Sequence, residues 1–105
     1  MTKIRFFEND GLLIGYEISG HSTSSAQDID GKIVCSAVSS AAYMAANTLS
    51  EIVGAELEAD VSDGYMCVKL KSLVEQSQVT LKGFYLHASE LAKNYRNYVK
   101  VYSEV

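Results

Sequence analysis

The sequence predicts an α+β domain, strands and helices in the order ββαββαβ, with two helices packed on one face of a mostly antiparallel sheet. Five short runs alternate apolar with polar residues, the period of a half-buried strand, and two long stretches place apolar residues three and four apart, as on a helix face. Compact turn sequences, Asn9-Asp10-Gly11 and Ser62-Asp63-Gly64, join two of the strand pairs. A chain of 105 residues can bury one hydrophobic core and not a second, so a single domain over 1–105 is expected.

Thr2 to Phe7 and Leu12 to Ser19 read as the first two strands. Ile4 and Phe6 share one face of the first; Ile14, Tyr16 and Ile18 share one face of the second. Gly20 ends the hairpin and His21 follows. From His21 to Lys32 the chain offers Ser, Thr, Gln, Asp and Gly with little to bury, and a mobile loop is expected. A helix over Ile33 to Val53 comes next, with Val34, Val38, Ala41, Ala45, Leu49 and Ile52 at helical spacing and Gly54 as its stop. Its run from Cys35 to Ala46 is dominated by Ser and Ala, so this is expected to be the central, most buried helix.

Leu57, Ala59 and Val61 mark a third strand. Met66, Val68 and Leu70 mark the inward face of a fourth, with Tyr65, Cys67 and Lys69 opposite. Val74 to Asn97 carries a second helical stripe of Leu81, Phe84, Ala88, Leu91 and Tyr95, weakened at its start by Ser77, Val79 and Thr80. Val99, Val101 and Ser103 alternate with Lys100, Tyr102 and Glu104 in a last strand. The far face of the sheet then carries Phe7, Leu13, Tyr65 and Tyr102, apolar groups that suit a homodimer.

A net charge of −4 argues against nucleic acid as a ligand, which needs a basic footprint, and permits a basic peptide or protein instead. No apolar run approaches the roughly eighteen residues of a membrane span, and no leader pattern opens the chain. A cytoplasmic setting with reduced cysteines is the expectation.

The reactive residues gather between Ser19 and Val53. A thiol in the first turn of a helix faces unpaired backbone N–H groups and the positive end of the macrodipole, and both favour thiolate. If the loop folds back, His21 can reach Cys35 and act as its base. The competing reading is an inert Cys35 and a surface His21 in a binding module. Ser39, one turn after Cys35, either bonds back to its own helix or helps place the thiolate or the substrate backbone. Cys67 lacks an activating setting and reads as structural, and His87 reads as a bystander. No C-x-x-C or H-x-x-x-H pair offers zinc ligands, and no resolving cysteine lies near Cys35. No G-x-S-x-G elbow or Gly-rich phosphate loop is present, so neither metal nor cofactor is expected.

The Gly20-His21-Ser22 step, the polar loop, and Ile33-Val34-Cys35-Ser36-Ala37-Val38-Ser39 together resemble Prp, the ribosomal-processing cysteine protease family, also called YsxB-like. The resemblance extends to the N-terminal hairpin and the ββαββαβ order. It implies Cys35 as nucleophile and His21 as general base, with Gly20 and Ser39 matching further family positions. It also implies a homodimer that removes a short N-terminal extension from large-subunit ribosomal protein twenty-seven, cutting after Phe. Two departures stand out: Lys32 replaces the Asp that the family carries three residues before its Cys, and the loop is longer. Asp30, with Asp28 beyond it, is the candidate substitute for that Asp. Ser22 and Ser36 stand where the family has Ala and preserve backbone access.

Overall fold

The computed structural model describes residues 1–21 and 27–104. Strand β1 (Thr2–Asn9) and strand β2 (Leu12–Ser19) form the first hairpin, and helix α1 (Ile29–Asn47) runs on into a wider π-helical turn over Thr48–Val53. Strands β3 (Leu57–Ser62) and β4 (Tyr65–Leu70) form the second hairpin; helix α2 (Gln78–Asn94) and strand β5 (Val99–Glu104) complete the ββαββαβ order. The strands lie in the order β3-β4-β2-β1-β5, with only the β1–β5 pair parallel. Both helices cover one face of this sheet, as the sequence predicts.

The core forms between that face and the helices. Ile4, Phe6, Tyr16, Ile18, Met66 and Val68 from the strands meet Val34, Val38 and Ala42 from α1 and Leu81, Phe84 and Ala88 from α2. Edge-to-face aromatic pairs join the layers, with Phe84 4.8 Å from Tyr16 and 5.3 Å from Phe6 between ring centroids. The buried Tyr16 hydroxyl donates to the Ala42 carbonyl at 2.7 Å, tying β2 to α1. Gly15 is required where β2 pairs with β4, because a Cβ there would strike the Val68 carbonyl.

Several expected faces are corrected. Leu13, expected outside, is in the core, while Ile14, expected inside, is half-buried. The register slips between Phe7 and Glu8, so Phe7 pairs with Gly15 but Glu8 pairs with Leu13, and this bulge turns Leu13 inward. Gln78 holds the irregular strand: its Oε1 accepts from the Leu13 N–H at 2.9 Å and its Nε2 donates to the Leu13 carbonyl at 2.8 Å. On α1 it is Ala42, more than Ala41, that is buried, and Ile52 is 80% exposed. In a π turn the step from Leu49 to Ile52 falls short of a full revolution, which swings Ile52 away from the sheet. Nor is α1 covered on all sides, since Ser36, Ser39, Ser40, Tyr43 and Met44 are exposed. On the outer sheet face, Lys69 lies over the Phe7 ring and Arg5 over the Tyr102 ring, so these aromatics are partly covered by cations from other strands.

Candidate functional site

Helix α1 starts four residues before the expected Ile33. Asp28 caps it, its carboxylate accepting from the Gly31 N–H at 3.0 Å, and the Tyr98 hydroxyl donates to the same oxygen at 3.3 Å. Partial burial first, and then the Asp28 carboxylate, raise the Tyr98 phenol above its ordinary pKa. The cap is therefore Asp28 rather than Asp30, which is exposed in the first turn, where its charge still favours the helix. Periodicity missed this start because Ile29 and Ile33 are exposed and Gly31 is buried: the first turn meets the protein through a residue with no side chain.

The earlier start corrects the position of Cys35. It is the seventh residue of the helix, beyond the first four N–H groups that lack an intrahelical partner and beyond the turn over which the macrodipole acts. The expected stabilisation of its thiolate by first-turn amides does not hold in this geometry. Lys32 is exposed one turn earlier. Cys35 itself is half-buried, with its side chain in a cleft. Neither Cys35 nor Cys67 is in a disulfide.

His21 follows β2 and is anchored by the backbone on both sides. The Gly20 N–H donates to the Gly64 carbonyl at 3.0 Å, and the Met1 amine donates to the His21 carbonyl at 2.8 Å. Gly20 has φ +87°, and a Cβ there would meet the Met1 carbonyl, so glycine is required at this step. Of the mobile loop expected from His21 to Lys32, residues 22–26, Ser22 among them, lie outside the described residues; Ile29 to Lys32 are helix instead, and His21 belongs to the folded frame.

Cys35 and His21 line one cleft of about 210 Å³ between α1 and the β3–β4 turn. Gly20 and Ser39, carried over from the family pattern, line it too; Ser36 and Asp30 do not. Ile18, Val38, Ala42 and Met66 form its apolar floor, while Tyr43, Val61, Asp63, Gly64 and Tyr65 complete its walls. Sequence reasoning missed the wall residues because β3 and β4 announce themselves only as a hairpin, and nothing local shows which helix its turn approaches. The Tyr65 hydroxyl donates to Glu17 Oε2 at 2.8 Å, and that bond, more than burial, raises its phenol far above the ordinary value. Strand alternation with the buried Met66 and Val68 turns this hydroxyl to the outer sheet face, beside Glu17 and Cys67, so it takes no part in the chemistry of the cleft.

Among the described residues no three His, Cys, Asp or Glu side chains gather as a metal site, and no helix is long and apolar enough to cross a membrane. A larger groove of about 620 Å³ lies between α1 and α2, lined by Ala37, Met44, Val79, Gly83, Phe84 and His87 among others. It contains neither Cys35 nor His21.

Solved structures share this architecture. The crystal structure of SMU.848 from Streptococcus mutans is 29% identical, with a TM-score of 0.79 over 98% of this chain and 93% of that one. The essential ribosomal processing protease Prp from S. aureus, in complex with a covalently linked product peptide, superposes with a TM-score of 0.86 at 16% identity, over 99% of this chain and 100% of that one. Its complex with a substrate peptide gives the same TM-score at 14% identity and the same coverage. No curated protein matches the sequence. The family model described as cysteine protease Prp matches residues 1–100, nearly the whole chain, and with a cysteine and a histidine facing one cleft of that fold, this chain belongs to the cysteine protease Prp family.

Proposed function

We propose that this protein is a cytoplasmic endopeptidase of ribosomal protein maturation, with Cys35 as nucleophile and His21 as general base. The observation that carries it is that both residues line one cleft, brought there by different elements. His21 takes the Cys35 proton, and the thiolate sulfur attacks the scissile carbonyl carbon. The C–N bond then breaks, His21 returns the proton to the leaving amine, and water hydrolyses the thioester to free the carboxylate product and the thiol. Because Cys35 lies past the helix's open amides, activation of the thiol falls to His21 rather than to the macrodipole. Ser39, one turn further along α1 and in the same cleft, offers a hydroxyl to the substrate backbone.

The substrate we infer is the N-terminal peptide of large-subunit ribosomal protein twenty-seven, cut after Phe. Support comes from the apolar floor, which suits an aromatic side chain, from the net charge of −4, which attracts a basic tail, and from the peptide-bound S. aureus structures of the same fold. A homodimer belongs to the same family reading. The outer sheet face supports it less than the sequence suggests, since Leu13 is in the core and cations cover Phe7 and Tyr102. The test is incubation with the N-terminal peptide of that ribosomal protein, read by mass spectrometry. Cleavage after Phe by the wild type and none by Cys35→Ala is expected. An intact peptide that still binds, with an unreactive Cys35, would make the protein a binding module.

A further inference from the structure

We propose that Gly64, at the β3–β4 turn, is a positioning residue for His21, and that its missing side chain makes the place in which the imidazole stands. A Cβ built on Gly64 would lie 2.7 Å from His21 Nε2, 3.2 Å from Cε1 and 3.3 Å from Cδ2. All three belong to the imidazole, so it is the ring itself, turning about its side-chain torsions, that must give way. Ordinary contact begins near 3.4 Å, so a methyl group at this point must move the ring by about 0.7 Å or more. Gly64 acts on the same histidine a second time, since its carbonyl accepts the Gly20 N–H at 3.0 Å and fixes the backbone one residue before His21. The second hairpin thus supplies both the anchor and the seat for a side chain that belongs to the first.

The inference rests on His21 being the base. A base displaced by this distance no longer meets the thiol proton in line, and misplacements near 1 Å cost roughly a hundredfold in rate. The loss belongs to kcat, because binding of the substrate chain does not pass through the imidazole.

Gly64 has φ +70°, so any L residue there is also strained, and the test must separate strain from displacement. Gly11 at φ +78° and Gly54 at φ +82° provide the controls, since a Cβ at either meets nothing within 4 Å. Kinetics on the N-terminal peptide are compared for wild type, His21→Ala, Gly64→Ala, Gly11→Ala and Gly54→Ala. Gly64→Ala should lose ten- to a hundredfold in kcat with KM within about twofold, and iodoacetamide should alkylate Cys35 correspondingly more slowly, measured with Cys67→Ser as background. The Gly11 and Gly54 variants should lose thermal stability alone. In the wild-type protein, proton NMR should show cross-relaxation between Gly64 Hα and the His21 ring protons, a measurement that stands even if Gly64→Ala does not fold. Gly64→Ala with the kcat of the controls, or no such cross-relaxation in the folded wild type, overturns the role of Gly64 while leaving the Cys35–His21 pair intact. Full cleavage by His21→Ala overturns both.

Discussion

Two hollows flank helix α1, and the larger is the chemically poorer. The groove toward α2, about 620 Å³, is walled by Ala37, Ala41, Met44, Val79 and Phe84, with His87 the one titratable wall residue among the described residues. The cleft on the other side has a third of that volume, yet Cys35, His21, Ser39, Tyr43 and Asp63 line it from three parts of the chain. Volume measures how much ligand surface can be covered; chemistry needs groups of complementary proton affinity within reach of one another. A helix with small residues all round permits both hollows, and only the side facing the strand ends receives partners for its cysteine.

The sharpest way to break this contrast is Cys35→Ala. It should abolish cleavage and leave the fold intact, as judged by circular dichroism and a melting temperature within a few degrees of wild type; retained cleavage would move the chemistry elsewhere. His21→Ala should lower kcat/KM on the same peptide by roughly 10²- to 10⁴-fold, the range of a positioned general base. A loss below fivefold would leave Cys35 activated by something other than imidazole. In the middle of the range lies the cap that sets where α1 begins. Asp28→Ala should lower stability by about 1 kcal/mol in urea unfolding, whereas Asp30→Ala should stay within about 0.5 kcal/mol. Equal losses would return the cap to Asp30. At the bottom, Cys67→Ser and His87→Ala should each keep kcat/KM within about twofold. Cys67 lies on the outer face of β4, away from the cleft, and His87 stands in the groove. A tenfold loss from His87→Ala would make the larger hollow a working part of the enzyme.

The cysteines teach the same lesson at the level of single residues. Both are half-buried and neither is in a disulfide. Cys67 alternates with the core residues Met66 and Val68, so strand parity alone places it outward, as the sequence predicts. The place of Cys35 depended on where α1 starts, and that start is set by Asp28 and Gly31, neither of which contributes to an apolar stripe. A four-residue error there moves the thiol by more than a turn and changes which physical effect can activate it. The family pattern pairs Cys35 with His21, whereas the first-turn electrostatics that the sequence suggests for Cys35 do not hold in this geometry.

From the sequence by itself follow the order of strands and helices, the inward stripes of Leu81, Phe84 and Ala88 and of Met66 and Val68, and the turns that join the two hairpins. These depend on neighbours in the chain, and period and turn chemistry are local properties. Tertiary structure alone decided the bulge that buries Leu13, the exposure of Ile52 past the π turn, and the arrival of Gly64 beneath the His21 ring. Each of these depends on which strand lies beside which. A backbone that must satisfy its hydrogen bonds against a particular neighbour, or leave room for a particular ring, carries no mark of that neighbour in its own sequence.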